Sequence, residues 1–450
     1  MDECLNKRIK IAKYGIFNRN LLRQIAITEK NLTLSKDELV QLQFGKLKKI
    51  LLFAFSRCSF YREKYVKAGI HPDEITNFEE FQRVPLLTKA EIRANLERMI
   101  PTAIDRRTLQ EVHTGGTTGV PLQIYRDRGG IDLMNALFLR NVRFWGCDVG
   151  TKIVWVWGLP KESEMLYDFE RQSKIRRFCI NTAWFNAFDM TDERMTRFAD
   201  FLKGFKPNII IGYVSALYEY ARFMLDNDIS INPPKAVCIT AEPSTSFQRE
   251  LIEKAFRTKT FNEYGSSEIL RVAAECCERQ GLHIHADSRY VEITDAYGSH
   301  KQKGEIGSVV VTDLENRAMP LIRYRNDDLG SIHTNDCACH LNLPLMENIM
   351  GRIYDMITLR DGKKIYGHMF SRTIFRYVSQ IKQFQVHQIA LDKIIVRIVP
   401  DKMGDLERLK CKILSDFQQY TSDQINYSFE IVKSLKKERS GKLRYVKSDV

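Results

Sequence analysis

The sequence contains no long apolar run, no low-complexity tract and no internal repeat. No apolar run reaches the roughly 18 residues that a transmembrane helix needs, so no membrane span is expected. The first residues, among them Asp2, Glu3 and Lys7, include no apolar segment of the kind found in signal peptides. Because 44% of the 450 residues are hydrophobic and 28% are charged, the composition predicts a globular protein and excludes an extensively disordered one.

Recognised nucleic-acid-binding modules are also absent, although the net charge is +13. We therefore do not expect a nucleic acid as partner. The positive charge has another explanation, because a positive surface also suits the phosphates of a nucleotide. The 10 cysteines without a secretion signal predict reduced thiols and a cytoplasmic location. The oligomeric state cannot be read from the sequence, and a homodimer is one option.

The hydrophobic pattern predicts a layered α/β protein with a helical start. Residues 17–100 show mostly helical patterns, and Ser35 is placed to cap a helix. Strand-like runs alternate with helical stretches over residues 152–157, 192–203, 208–211, 215–226 and 236–240. A strand-rich part follows at residues 283–333, including a predicted strand at 320–324.

A change of composition near Gly351 divides the chain. The resulting prediction is a large domain at residues 1–350, a hinge at 351–355 and a small C-terminal α/β domain at 356–450. Within the small domain, a hairpin around Asp392 and a helix over 405–420 are expected.

The first chemical signal is a glycine- and threonine-rich segment at residues 114–121. Glycines allow backbone N–H groups to turn toward an anion, and threonine hydroxyls add donors, so the segment suits phosphate. The segment is not a Walker loop, because it lacks the Lys-Ser/Thr ending, and its flanking residues predict two strands rather than a following helix. The alternative to a phosphate-binding loop is an ordinary glycine-rich turn. The segment reads Thr114, Gly115, Gly116, Thr117, Thr118, Gly119, Val120 and Pro121.

This loop resembles the phosphate-binding signature of the adenylate-forming enzymes, which include acyl-CoA synthetases, luciferases and adenylation domains. Val120 stands where that signature usually has a basic residue. The resemblance implies a fold of layered α/β subdomains with a small mobile C-terminal domain. It also implies that Thr117 and Thr118 act in catalysis by holding pyrophosphate, with binding support from Thr114, Gly115, Gly116 and Gly119.

Further segments resemble motifs of the same superfamily, in the same order along the chain. The turn at 240–243 resembles the adenine-lining turn and implies nucleotide contacts by Ala241 and Glu242. Residues 262–268 resemble the motif whose aromatic residue stacks on adenine and whose last glutamate helps to bind Mg²⁺. The resemblance implies that Tyr264, Gly265 and Ser266 bind the nucleotide. It also implies that Glu268 is a catalytic residue and binds magnesium.

The last motifs concern ribose, the hinge and a catalytic lysine. Residues 323–330 resemble the ribose motif and imply that Asp328 accepts the ribose hydroxyls, with Asp327 where glycine is usual. Residues 351–355 resemble the hinge and imply that Arg352 reaches the ribose or phosphate. Residues 439–444 resemble the motif of the catalytic lysine, here Lys442. Position alone would leave Lys436, Lys437 and Lys447 as alternatives.

The N-terminal stretches at 59–89 and 206–217 resemble the phenylacetate–CoA ligase branch. They also resemble relatives encoded with capsular-polysaccharide genes, and the loop at 359–364 favours these relatives. In CoA ligases that loop region helps to build the thioester-forming site. The identity of the acceptor therefore stays open.

Four cysteine and histidine positions suggest a structural zinc site. Cys276 is followed by His283, and Cys337 and Cys339 form a C-x-C pair, a donor set that suits tetrahedral Zn²⁺. Cys277, His285 and His340 are competing ligands. Similar patterns in phenylacetate-ligase relatives bind zinc, so the resemblance also implies a zinc ion here.

The predicted function is ATP-dependent activation of a small carboxylic acid to an acyl-adenylate, followed by transfer to a thiol such as that of CoA. Mg²⁺ would screen the phosphates. One alternative is transfer of an acyl or aminoacyl group to a sugar amine or a carrier protein in polysaccharide biosynthesis. Another alternative is a non-catalytic nucleotide-binding relative. An aryl or small acyl acid is the preferred substrate, and Trp155, Trp157, Tyr213 and Trp184 are candidates to line its pocket.

Overall fold

The computed structural model describes residues 18–113, 122–159, 161–352, 356–377, 380–401, 405–421, 425–436 and 443–450. Among them, no helix is both long and apolar enough to cross a membrane. The chain begins with the predicted helical region, which comprises α1 (Arg19–Asn31), α2 (Lys36–Arg57), α3 (Ser59–Lys67), α4 (Phe78–Phe81) and α5 (Lys89–Met99).

Helix α2 begins where the sequence predicts. The Ser35 side chain accepts from the backbone N–H of Glu38, and the Glu38 carboxylate accepts from the backbone N–H of Ser35 at 2.8 Å. Such a cap contributes about 1 kcal/mol to helix stability. The apolar face of α2, including Leu47 and Leu51, is fully buried in a core shared with the strand-rich part of the chain.

The α/β body follows. Its elements are β1 (Gln110–His113), β2 (Gln123–Arg126), α6 (Arg128–Phe144), β3 (Ile153–Trp157), α7 (Lys161–Tyr167), α8 (Lys174–Ile180), β4 (Thr182–Asn186), α9 (Asp192–Phe205), β5 (Ile209–Tyr213), α10 (Val214–Asp226), β6 (Ala236–Thr240), α11 (Ser246–Phe256) and β7 (Thr260–Tyr264). The alternation of strands and helices is the one predicted from the sequence.

The strand-rich part comprises β8 (Ala273–Glu275), β9 (Leu282–Ile284), β10 (Arg289–Thr294), β11 (Gly307–Asp313), β12 (Tyr324–Gly330), β13 (Leu345–Met346) and β14 (Gly351–Arg352). The prediction of a strand over 320–324 is wrong, because strand β12 begins only at Tyr324. Arg323, just before it, has a φ of +50°, which extended backbone does not adopt.

The C-terminal part comprises β15 (Ile357–Thr358), β16 (Lys364–Ile365), α12 (Gly367–Phe375), β17 (Ile381–Ala390), β18 (Lys393–Pro400), α13 (Leu406–Gln418), β19 (Asn426–Ile431) and β20 (Val446–Ser448). The predicted hairpin is β17–β18, and the predicted helix is α13. The loop at 359–364 joins β15 and β16, which pair with each other in a short antiparallel hairpin.

Three larger sheets organise these elements. The main sheet has eight strands in the order β13-β9-β8-β7-β6-β5-β3-β4. Its five strands β3 to β7 run parallel, whereas β8, β9 and β13 join by antiparallel pairing. A second, antiparallel sheet has the order β10-β11-β12-β14, and the C-terminal sheet has the order β19-β18-β17-β20. The parallel strands β3, β5, β6 and β7 therefore direct their carboxyl ends toward the same edge, where ligands bind in open α/β sheets.

Opposite faces of the main sheet are covered by different elements. Val154 and Val156 pack with α9, α10 and α11 in one core. On the other face, Phe261 packs with Val142 of α6 and with Trp145, which directly follows α6. The first core continues into the C-terminal part and includes Phe370 and Val446. The C-terminal part is therefore packed on the helices that cover the main sheet.

Candidate active site

A cavity of about 1000 Å³ lies at the carboxyl ends of the parallel strands. Its lining includes Trp157 at the end of β3, Thr240 at the end of β6 and Tyr264 at the end of β7. The C-terminal part supplies the opposite wall through α12 and residues 443–446. The cavity therefore collects side chains from both parts of the chain at one place.

The centre of the cavity contains a hydrogen-bonded group around Asp328. The Tyr264 hydroxyl donates to Asp328 Oδ2 at 2.9 Å, and Asn326 Nδ2 donates to the same oxygen at 2.9 Å. Arg352 Nε lies 3.6 Å from Asp328 Oδ1. Strand β14 pairs Arg352 directly with Asp328, which explains how two distant sequence motifs meet. Tyr264 is only 7% exposed, so it can offer a nucleotide base only a small part of its ring.

Asp328 and its neighbour Asp327 have different surroundings. Burial raises the pKa of Asp328 above its ordinary value, although the Arg352 guanidinium and the Tyr264 hydroxyl act in the opposite direction. Asp327 forms an ion pair with Lys89, whose Nζ lies 3.0 Å from Asp327 Oδ2. Asp327 has a φ of +69°, a left-handed conformation that glycine adopts easily, and glycine is the residue that the ribose motif usually has at this position.

Glu268 lines the same cavity and is held by a buried tyrosine. The Tyr324 hydroxyl donates to Glu268 Oε1 at 2.9 Å, and Glu268 is only 6% exposed. Gly265 and Ser266 form the preceding turn, in which the Ser266 hydroxyl accepts from the backbone N–H of Ile269 at 3.1 Å. A Cβ at Gly265 would lie 2.8 Å from the backbone nitrogen of Arg271, so this turn requires glycine.

The turn after β6 lies at the edge of the cavity. Ala241 has a φ of +68°, and Glu242 accepts hydrogen bonds from the backbone N–H and the hydroxyl of Ser215, at 2.7 and 3.0 Å. These bonds join the turn to the first residues of α10. Ala241 and Glu242 are thus placed in the cavity wall, and the Glu242 carboxylate is engaged by the protein itself.

Several predicted site residues lie outside the described part of the chain. They are the phosphate-loop residues Thr114, Gly115, Gly116, Thr117, Thr118 and Gly119, the hinge residues 353–355 and Lys442. The strands on either side of the loop, β1 and β2, are described and pair antiparallel, as the flanking pattern predicts. Leu443, which directly follows Lys442 in the sequence, lines the cavity.

The C-terminal part is held against α10 and α11 by an aromatic group and an ion pair. The Phe375 ring centre lies 5.9 Å from that of Tyr218 and 6.4 Å from that of Phe247. Arg222 Nη2 lies 2.8 Å from Asp401 Oδ1, and Arg222 Nη1 donates to the Ile381 carbonyl at 3.3 Å. Phe375 also lines the cavity, so this interface sets the position of the opposite wall.

The four predicted zinc ligands lie together at the edge of the main sheet. Ligand atoms of Cys276, His283, Cys337 and Cys339 all fall within 4.8 Å of one another. The Sγ atoms of Cys276 and Cys337 are 3.6 Å apart, and Cys339 Sγ lies 3.2 Å from His283 Nε2. Four ligands around tetrahedral zinc, with Zn–S bonds of about 2.3 Å, would place their sulfurs about 3.8 Å apart, so the cluster fits this ion.

The competing ligands are not part of this cluster. Cys277 is exposed, and His285 Nδ1 lies 3.3 Å from Arg140 Nη1 in a buried group with Asp287. His283 is oriented by its other ring nitrogen, since Nδ1 lies 3.4 Å from the Leu343 carbonyl oxygen. Such a contact fixes the ring of a metal-binding histidine.

Sequence reasoning did not identify Glu263 and Arg271, which also line the cavity. Glu263 stands inside the predicted motif at 262–268 and Arg271 follows it by three residues, and that proximity is the only sequence signal for them. Of the four predicted pocket aromatics, Trp155 and Trp157 line the cavity. The other two lie behind them: the Tyr213 ring centre is 4.1 Å from that of Trp157, and the Trp184 ring centre is 5.8 Å from that of Trp155.

Comparison with known sequences gives related proteins over most of the chain. Residues 357–449 match the family described as the CapK C-terminal domain. The chain is 28% identical over 380 residues to "Phenylacetate-coenzyme A ligase" of Escherichia coli (strain K12), covering 81% of this chain and 83% of that protein. It is 24% identical over 422 residues to "Protein CapK" of Staphylococcus aureus, covering 92% and 90%.

Solved structures share the fold. The 2-hydroxyisobutyryl-CoA ligase in the postadenylation state, in complex with R3-HIB-AMP, superposes with a TM-score of 0.76 at 22% identity, covering 94% of this chain and 92% of that one. In the thioesterification state, the same ligase gives a TM-score of 0.62. The two parts of this chain are therefore arranged more as in the postadenylation state. The chain is a homologue of the phenylacetate–CoA ligases, with a CapK-like C-terminal domain and the fold of the adenylate-forming superfamily.

Proposed function

We propose that this protein is an AMP-forming acid ligase that activates a small carboxylic acid with ATP. The supporting observation is the single cavity in which Asp328, Glu268 and Tyr264 from the large domain face the segment that follows Lys442 in the C-terminal domain. Such an arrangement suits a reaction in which catalysis consists mainly of positioning and charge stabilisation.

In the proposed first step, a carboxylate oxygen of the acid attacks the α-phosphorus of ATP. A new C–O–P link forms, the bond to the β-phosphate oxygen breaks, and pyrophosphate leaves. Asp328 accepts the ribose hydroxyls, Lys442 stabilises the negative charge that develops between the two reactants, and the loop at 114–119 holds the pyrophosphate. Glu268 would hold Mg²⁺, which supplies positive charge beside the phosphates.

In the proposed second step, a thiol attacks the acyl carbon and AMP leaves with the carboxylate-derived oxygen. Rotation of the C-terminal domain about residues 351–355 would remove Lys442 from the cavity and admit the thiol. CoA is the first candidate acceptor, because relatives named as CoA ligases match most of the chain.

A second candidate is transfer to a carrier protein or an amine, and it stays open because the CapK name of the matched C-terminal domain specifies no acceptor. Mass spectrometry of the products separates the candidates. A thioester formed when CoA is added supports the first, whereas an adenylate that persists with CoA and reacts only with a carrier or a sugar amine supports the second.

The activation step is tested by acid-dependent exchange of labelled pyrophosphate into ATP, using a broad panel of carboxylic acids. We expect exchange with at least one acid and none when acid or Mg²⁺ is omitted. ATP binding without exchange for any acid in the panel would reject the enzyme and leave the non-catalytic nucleotide-binding alternative.

We also propose that Cys276, His283, Cys337 and Cys339 bind a structural Zn²⁺. The support is the donor set and the spacing of its atoms. Elemental analysis of the purified protein should give about one zinc per chain. Cys339→Ala should lower the zinc content, whereas Cys277→Ala, which changes the exposed cysteine next to Cys276, should leave it unchanged. Zinc-free wild-type protein with unchanged thermal stability would contradict the assignment.

A further inference from the structure

A buried arginine lies where two of the predicted motifs meet. Arg126 is the last residue of strand β2, which follows the predicted phosphate loop at 114–121, and it is 2% exposed. Its Nη2 donates to the carbonyl oxygens of Ser267 and Glu268, at 3.0 and 2.6 Å. Arg126 therefore joins the strand that leaves the loop to the turn that carries the proposed magnesium ligand.

Arg126 is an unusual buried cation. In the part of the chain that the structure describes, no carboxylate forms an ion pair with it, and its Nη1 is buried without a hydrogen-bond partner. Burial lowers the pKa of Arg126 to about 10, although the charges of Asp313 and Glu268 act in the opposite direction. The guanidinium therefore stays protonated at neutral pH. Because burial of a cation without a counter-ion costs free energy, packing alone does not explain an arginine here.

The two hydrogen bonds of Arg126 fix the backbone of Glu268. The accepting carbonyls belong to the peptide units on either side of the Glu268 Cα atom. Because each peptide unit is planar, holding both units sets φ and ψ of Glu268 and the direction in which its side chain leaves the backbone. The other end of this side chain is held by the Tyr324 hydroxyl, which donates to Oε1 at 2.9 Å. Glu268 is thus held at both ends.

The proposed ribose acceptor is held by other residues. Asp328 accepts hydrogen bonds from the Tyr264 hydroxyl and from Asn326 Nδ2, both at 2.9 Å. Loss of Arg126 should therefore disturb the metal side of the cavity and spare the nucleoside side. This difference separates a role in placing Glu268 from a general contribution to folding.

We propose that Arg126 is a positioning residue for the activation step, which holds Glu268 where its carboxylate meets Mg²⁺ beside the phosphate loop. The inference rests on the proposed function and adds a residue that lies outside every motif named above. Arg126 does not line the cavity, so it acts through the turn and not on the substrate.

Metal affinity measures this role directly. Mn²⁺, which takes the same kind of oxygen ligands as Mg²⁺, is titrated into the protein with α,β-methylene-ATP, and free Mn²⁺ is followed by electron paramagnetic resonance. In Arg126→Met, Glu268 is held correctly for a smaller fraction of the time, so the apparent Kd of Mn²⁺ should rise about 10-fold or more. Adenosine affinity, measured by calorimetry without metal, should change by less than about two-fold.

Two further variants separate positioning from general stability. Arg126→Lys keeps a cation that can still donate to a carbonyl but loses the planar fork, so its Mn²⁺ affinity should lie between those of wild type and Arg126→Met. The control is Asn316→Ala, because Asn316 Nδ2 donates to the Tyr125 carbonyl at 3.2 Å and supports the same strand through a different residue. This control should keep the wild-type Mn²⁺ affinity.

Folding of each variant is checked by thermal unfolding. An unchanged Mn²⁺ affinity in folded Arg126→Met, or in Arg126→Lys if Arg126→Met does not fold, would overturn the proposal. The same loss in Asn316→Ala would also overturn it, because support of the strand would then explain the effect, and so would an equal loss of adenosine affinity. Wild-type protein that binds Mn²⁺ with the nucleotide but exchanges pyrophosphate with no acid would instead reject the proposed function.

Discussion

The two walls of the cavity are held in place in different ways. On the large-domain side, Asp328 and Glu268 are fixed by hydrogen bonds from buried tyrosines of the same domain. The C-terminal wall depends on contacts between the domains, namely the Arg222–Asp401 pair and the packing of Phe375 on Tyr218. The nucleotide side is therefore organised before a ligand binds, whereas the position of the opposite wall depends on an interface that rotation would break.

Lys442→Ala should give the largest effect, because the lysine is the proposed contribution of the C-terminal wall to the transition state. Removing one such stabilising group costs about 100- to 1000-fold in rate. We expect pyrophosphate exchange to fall by this factor while ATP binding, measured by calorimetry, changes little. Lys436→Ala, which removes the same charge from an exposed position in the same tail, is the control. Retained exchange in Lys442→Ala would exclude its assigned role.

Asp328→Asn should mainly weaken nucleotide binding, because the neutral amide replaces an ionised acceptor of the ribose hydroxyls. Hydrogen bonds to charged groups contribute roughly 1.5–3 kcal/mol, so adenosine affinity should fall about 10- to 100-fold. The matched control is Asp327→Asn, since Asp327 pairs with Lys89 at the same edge of the cavity. Equal losses in the two variants would show that the ribose contact is not specific to Asp328.

The raised pKa of Asp328 predicts that, as the pH falls, adenosine binding weakens earlier than it would with an ordinary aspartate. In the proposed role the ionised carboxylate accepts the ribose hydroxyls, so affinity should be full above the raised pKa and lost as the pH falls through it. Adenosine is the appropriate ligand because it carries no phosphate that titrates. Calorimetry between pH 4.5 and 8 should show this loss in wild type and its absence in Asp328→Asn; an identical pH profile for both proteins would contradict the assignment.

Arg222→Ala should give the smallest effect, and that effect should fall on one half-reaction. A partly exposed ion pair contributes up to about 1 kcal/mol, so pyrophosphate exchange should decrease by up to about five-fold. Thioester formation from a supplied acyl-adenylate should not decrease, because the pair stabilises only the present arrangement. Arg397→Ala, which breaks an ion pair within the C-terminal domain, is the control. A parallel loss of both half-reactions would indicate a general structural defect.

Much of the site could be predicted because its residues stand in short motifs with a local physical meaning. The Ser35 cap, the β17–β18 hairpin and the strands flanking the 114–121 loop follow from neighbouring residues and are confirmed by the structure. The resemblance to the ribose motif also selected Asp328 over Asp327, and the structure gives the two aspartates different partners. Their functional roles stay predictions.

Other features depend on contacts that sequence patterns do not encode. The ion pair between Glu263 and Arg271 requires β7 to be followed by antiparallel β8 and Arg271 to adopt a φ of +56°. The Arg222–Asp401 pair joins an α10 residue to the end of β18, which only the docking of the C-terminal part brings together. The sequence selects His283 as the ligand, but it does not show why His285 is separate, namely that His285 contacts buried Arg140.

The apolar core that begins at the main sheet continues through α10 and α11 into the C-terminal domain. One consequence concerns shorter versions of this protein. A chain ended before residue 357 would leave Tyr218 and Phe247 without the aromatic ring that covers them. Contiguous apolar surface of this kind promotes self-association, so the large domain alone should aggregate even though it keeps Asp328, Tyr264 and the other residues proposed to bind the nucleotide.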